Sequence, residues 1–168
     1  GNWTSLTFDD SKWKTGQAGF GYGDDDDSTV LKMKGKYSRV YLRREFTMPE
    51  EIGREEISRL GGQLQFRLKY DDACIVYLNG KEFARVGVES GSGAKAKTIT
   101  SHEAHDFGMW IPEDGPSLIR PGKNVIAVEG HNSSKDSSDF TLDPFLIVSD
   151  YGDLKKVFEA AEKKQAAQ

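Results

Sequence analysis

Between Leu64 and Tyr70 the chain alternates strictly, with Leu64, Phe66, Leu68 and Tyr70 set against Gln65, Arg67 and Lys69. A period of two puts the apolar set on one face, which predicts a β-strand lying with that face on a core. Ala73 to Leu78 follows, apolar on both faces, and ends at Asn79-Gly80. Both residues of that pair tolerate the positive φ of a type I′ turn, so Lys81 to Val86 is expected to return as the hairpin partner. A tight hairpin beside a half-buried strand commits this stretch to antiparallel sheet.

The same reading extends to both sides. Arg39 to Met48 is rich in Val, Tyr, Leu and Phe, and Asn124 to Glu129 follows a Pro121-Gly122 turn, so both are predicted core strands. Phe140 to Leu142 and Phe145 to Val148 flank Pro144, which cannot donate to a ladder and predicts a bulge, an edge or a break. Gly-rich and polar connections at Gly16 to Ser28, Glu89 to Lys97 and Ser133 to Asp139 are spaced as in sandwiches and barrels, not as in βαβ units. The expected fold is an all-β antiparallel sandwich over residues 1–150. Asp153 to Gln168 differs: Leu154, Val157, Phe158 and Ala161 recur at helical spacing, so 151–168 is read as a short C-terminal helix, packed on the sandwich or beginning a linker.

A length of 168 residues suits one domain, and 36% hydrophobic against 30% charged residues is a globular composition. The net charge of -4 comes with no basic stripe, which argues against nucleic acid as a partner. The longest apolar runs fall far short of the roughly 20 residues of a membrane-spanning helix. Cys74 is the single cysteine, so no intrachain disulfide can form, and cysteine usage leaves the compartment open. The chain opens Gly-Asn-Trp with neither initiator Met nor leader, which suggests an excised domain or a mature segment.

Several pieces occur in an order that resembles a known family. They are Phe8-Asp9-Asp10-Ser11 with Trp13, Gly19-Phe20-Gly21-Tyr22-Gly23-Asp24, Tyr41-Leu42-Arg43-Arg44-Glu45-Phe46, Tyr70-Asp71-Asp72, Val76-Tyr77-Leu78-Asn79-Gly80 and Pro121 to Glu129 with His131-Asn132. Together they resemble a galactose-binding-domain-like β-sandwich, the jelly-roll module carried beside catalytic domains in many secreted bacterial enzymes. The resemblance implies a secreted, periplasmic or cell-surface accessory domain, with carbohydrate and the neighbouring domains of a parent protein as partners. It also implies a structural calcium ion, often near the two chain ends, where Asp10 and Asp143 are the candidates beside Asp9. A scaffold does not fix its ligand, so the individual residues have to be weighed.

Asp24 to Asp27 form an acidic run whose carboxylates suit Ca²⁺, with Asp24 and Asp25 as candidate ligands against the alternative of a solvated charge run. Tyr22 is a candidate contact in the glycine-rich segment, which lacks the strand-to-helix context of a phosphate loop. Asp71 and Asp72 offer acceptors for sugar hydroxyls, and Arg43 or Arg44 a bidentate donor. As neighbours, the two aspartates are expected to point to opposite sides, which argues against a glycosidase pair. Trp110, read as a loop residue, stacks on a sugar or anchors the loop. Trp3 and Trp13 are expected to plug the core or cover its end. His131 and Asn132 form a binding rim at a strand end or a hydrogen-bonded corner. His102, His105 and Asp106 lack the third placed ligand of a zinc site. No Gly-x-Ser-x-Gly elbow is present and Cys74 falls in a buried strand, so the chain is read as a non-enzyme. The expectation is a carbohydrate-binding module, with a structural or protein-interaction sandwich as the alternative.

Overall fold

The computed structural model describes residues 2–50, 64–98, 101–111 and 115–148. Its strands are β1 (Phe20–Tyr22), β2 (Thr29–Val30), β3 (Arg39–Met48), β4 (Leu64–Tyr70), β5 (Ala73–Leu78) and β6 (Lys81–Val86), then β7 (Val88–Ser90), β8 (Lys97–Thr98), β9 (Gly108–Trp110), β10 (Gly122–His131) and β11 (Phe140–Val148). They form a five-stranded sheet in the order β2-β1-β11-β4-β9 and a four-stranded sheet in the order β3-β10-β5-β6, with β7 and β8 as a separate pair. All pairings are antiparallel except β1 with β2.

The two sheets pack in a sandwich-like arrangement. Phe66, Leu68, Phe140 and Leu142 of the first meet Cys74, Val76 and Val128 of the second in one buried cluster. Each large side chain so buried contributes about 1.5–3 kcal/mol. The alternation in β4 is what sorts its residues: Leu64, Phe66 and Leu68 are buried while Arg67 is exposed. Asn79 and Gly80 turn the β5–β6 hairpin at φ of 52° and 84°. Asn79 does more than turn the chain, because its side chain donates to the Leu118 carbonyl at 2.7 Å and accepts the Val125 N–H at 2.9 Å.

Of the bulge, edge or break expected at Pro144, the edge is what forms. β11 runs unbroken, with Pro144 opposite Leu68. β1 pairs only with Phe140 to Leu142, so at Pro144 the strand has a partner on one side alone, a position that tolerates a missing N–H. Trp3 and Trp13 cover the outer face of the four-stranded sheet: Trp3 meets Tyr41 and Tyr77 edge-on and stacks on Trp13. The helix expected over 153–168 lies outside the described residues.

Candidate functional site

Chemistry gathers at the end of the sandwich where β4 passes from one sheet to β5 in the other. The two-residue corner between them is Asp71-Asp72, and both residues are 4% exposed. Its backbone is tied to both sheets, Asp71 N–H donating to Thr141 at 2.9 Å and Asp72 N–H to His131 at 3.1 Å. The Asp72 carboxylate accepts the backbone N–H of His102 at 2.9 Å and that of Ser133 at 2.6 Å, so it fixes two loops against the corner.

Asp71 has a different environment. One oxygen each from Asp71, Glu103 and Asp139 lie within 4.8 Å of one another. Burial, and then the carboxylates of Asp72, Asp139 and Glu103, push the Asp71 carboxyl up to about 8. The two aspartates therefore do not point apart as neighbours in a strand would, because they form a corner and their carboxyls interact. Beside this group the exposed His102 ring stacks on Tyr70, with centroids 4.2 Å apart and planes at 8°. His102 Nδ1 lies 3.0 Å from the Tyr70 carbonyl oxygen.

Trp110 is in an edge strand, not a loop, paired with Phe66 across β9 and β4. Its half-buried ring turns inward against Phe66 and Tyr70, and it covers Gly108, where a Cβ would sit 2.4 Å from the indole. It acts as an anchor of the sheet edge.

The other sugar-contact candidates are occupied inside the fold. All five N–H groups of Arg43 are engaged, by Asp10 at 2.7 Å, by the carbonyls of Trp3, Ser5 and Phe8, and by Glu45. Its side chain is 1% exposed, so it staples the N-terminal segment to β3 and presents no free donor. Tyr22, read as a loop contact, is a buried β1 residue whose hydroxyl donates to the Ser137 carbonyl at 3.1 Å. Asn132 is buried and donates to the Asp139 carbonyl at 2.6 Å, which shapes the loop that carries the Asp139 carboxylate. His131 is buried with Glu129. Its Nε2 approaches Glu129 Oε1 at 2.7 Å but off the N–H line, so the contact is a close approach and not a formed hydrogen bond. Glu129 also accepts the Gly93 N–H.

The calcium candidates separate. Asp10 is held by Arg43 on the outer face of the four-stranded sheet, while Asp143 lies on the five-stranded sheet and accepts the Gly19 N–H at 3.0 Å. The pair expected near the chain ends is therefore not assembled. Asp24 does join a group, with Asp26 and Asp27, whereas Asp25 is exposed and outside it. Asp24 Oδ1 and Asp27 Oδ2 are buried without a hydrogen-bond partner. Burial, with Asp24 and Asp26 alongside, pushes Asp27 up to about 6. Gly21 makes this possible, since a Cβ there would lie 2.2 Å from the Asp27 carboxylate. Asp26 is neutralised by Lys69 at 2.7 Å.

A cleft of about 810 Å³ runs between the sheets along β3 and is lined mainly by apolar side chains such as Phe20, Leu42, Phe46 and Leu146. It lies apart from the carboxylates, and we locate the candidate site by the chemistry at the corner. Sequence reasoning missed Glu103. Its one signal was its place between two histidines in a polar stretch.

No protein-family model matches the chain, and no curated protein matches it either.

Proposed function

We propose that this chain is a non-catalytic, galactose-binding-like jelly-roll module that binds glycan at the β4–β5 corner and holds a larger secreted protein near its carbohydrate. The observation that carries this reading is the exposed His102 ring, stacked on Tyr70 and followed directly by Glu103, whose carboxylate joins those of Asp71 and Asp139. An aromatic platform beside carboxylate acceptors matches the two surfaces of a sugar, its apolar ring face and its hydroxyl donors. Tethering by such a module raises the local concentration of substrate without chemistry of its own. The non-catalytic part is supported by Cys74, a thiol that burial pushes up to about 12 and so removes as a nucleophile.

Calorimetric titration of the isolated chain against plant, algal and animal glycans, with and without Ca²⁺, tests the reading. Saturable binding that weakens in His102→Ala is the expected result. Absence of binding to every glycan by the folded chain overturns it.

A second reading rests on a separate observation. Phe107, Met109, Ile111, Phe145 and Ile147 are all exposed, and Phe107 meets Phe145 edge-on at 5.5 Å on the outer side of the five-stranded sheet. Exposed apolar side chains of this kind suit packing against a neighbouring domain of a parent protein. Met109→Glu, which would abolish co-purification with such a domain while leaving glycan binding intact, separates the two readings.

A further inference from the structure

The two sheets do not close along β3. That strand runs ten residues at the margin of the four-stranded sheet, whereas β1 runs three and pairs only with Phe140 to Leu142. Beyond Leu142 no strand among the described residues extends the five-stranded sheet past β11 on that side, and the cleft of about 810 Å³ opens there. Its size falls within the roughly 300–1,000 Å³ of small-molecule sites. Leu42, Phe46 and Leu146 line it and are only partly buried, so they keep apolar surface that a closed core would remove from water.

A second observation is a charge at a register position that otherwise carries apolar side chains. Arg44 stands opposite Ile126 in the β3–β10 ladder, between the Leu42–Val128 and Phe46–Asn124 pairs. Directly opposed residues share a face of the sheet, and residues two apart on a strand share it too. Leu42, Phe46, Ile126 and Val128 all belong to the clusters between the sheets, so Arg44 lies on that inner face. It lines the cleft and pairs with no carboxylate among the described residues. Asp10 and Arg43, also at the cleft, neutralise each other at 2.7 Å. The charges left over are Arg44 and Lys14, both cationic.

We propose that the cleft binds a single-chain fatty carboxylate, with its head group on the Arg44 guanidinium and its hydrocarbon chain along Phe20, Leu42, Phe46 and Leu146. The guanidinium fork matches a carboxylate through two parallel N–H···O bonds, and Lys14 adds charge of the same sign. The shape selects a chain over a compact ring. The lining follows β3 from Tyr41 to Met48, which at roughly 3.3 Å per residue makes a groove more than about 20 Å long. A sugar laid there would set its hydroxyls against apolar walls with few partners. The site is therefore separate from the glycan reading at the β4–β5 corner and stands without it.

An inward charge on an edge strand has another use, since it blocks pairing with the edge of a second sheet. That use needs the charge but not the cleft. The test has to tell the two apart.

It uses the full chain and cis-parinaric acid, a polyene fatty acid whose fluorescence rises in an apolar site, with dodecanoate and dodecanol as competitors below the micelle concentration. The expected result is one saturable site at which dodecanoate competes roughly tenfold or more better than dodecanol. Arg44→Gln should lose most of that preference for acid over alcohol, and Lys81→Gln, a β6 cation outside the cleft, should keep it. Arg44 is exposed and its variant should fold, which circular dichroism checks. Should Arg44→Gln aggregate, Arg44→Lys keeps the charge without the fork and should weaken dodecanoate severalfold. Absence of saturable binding to the wild-type chain, dodecanol competing as well as dodecanoate, or a preference unchanged in the Arg44 variants overturns the proposal. Aggregation of Arg44→Gln beside a wild-type chain that binds no fatty acid assigns Arg44 to guarding the edge and overturns it as well.

Discussion

Asp72 Oδ2 accepts the backbone N–H of Ser133 at 2.6 Å, a bond that joins the β4–β5 corner to the loop between β10 and β11. With the His102 N–H on the other oxygen, one buried carboxylate satisfies two backbone donors from distant segments. Such charge-assisted bonds are stronger than neutral ones, and removing the acceptor strands both donors. Asp72→Ala should therefore cost roughly 3 kcal/mol in urea denaturation. Asp72→Asn, which keeps one acceptor oxygen, should cost about half as much. A loss under about 0.5 kcal/mol for Asp72→Ala would show that the loops are held by other means.

The Arg43 fork makes a different prediction because its partners are mostly carbonyls of one segment, residues 3 to 8. Lysine has three donors on a point charge and cannot reproduce five in a plane. Arg43→Lys should lower stability by about 1–3 kcal/mol. It should also open the N-terminal segment to limited proteolysis before the sheets unfold. Equal protease resistance in wild type and variant would refute the staple.

Asp27 links pH to stability. Its folded-state pKa, about 6, lies above the ordinary aspartate value of 3.8, so the native state holds the proton more tightly than the unfolded chain does. The contribution to stability is complete below about pH 4 and is lost as pH rises through about 6. Asp27→Asn should remove that slope: the difference in melting temperature between variant and wild type, in chelator-treated buffer, should grow in the variant's favour from pH 4 to pH 7. A difference that stays flat across this window would show that Asp27 titrates normally.

Much of the fold was legible because its long strands carry strong local signals. β3 matches Arg39 to Met48 at both ends, and Asn79-Gly80 marks the hairpin through the φ it allows. The short strands were not legible. β1 is three residues within a run of alternating glycines, and β9 is Gly-Met-Trp close to a proline. Segments this short show no period, and only pairing with β11 or β4 makes them strands. At the site, the Asp71-Asp72 doublet stood out, but its division of labour did not, since which aspartate meets N–H groups and which meets carboxylates depends on loops far along the chain. Arg43 misled because an arginine reads as a surface donor until the segment that covers it is placed.

Cys74 gives a probe of how the sandwich opens. The residue is 0% exposed in the cluster between the sheets, and burial raises its thiol far above the range in which thiolate forms at neutral pH. Both the reagent's access and the nucleophile are therefore absent in the native state. At pH 8, Cys74 should resist a disulfide exchange reagent for as long as the sandwich is closed and react in step with unfolding as urea is raised. Labelling that follows the global unfolding curve places β5 among the last elements to open. Fast labelling in native buffer would mean that the sheets separate locally around Cys74, and the packing of Phe66, Phe140 and Val76 over it would then be looser than described.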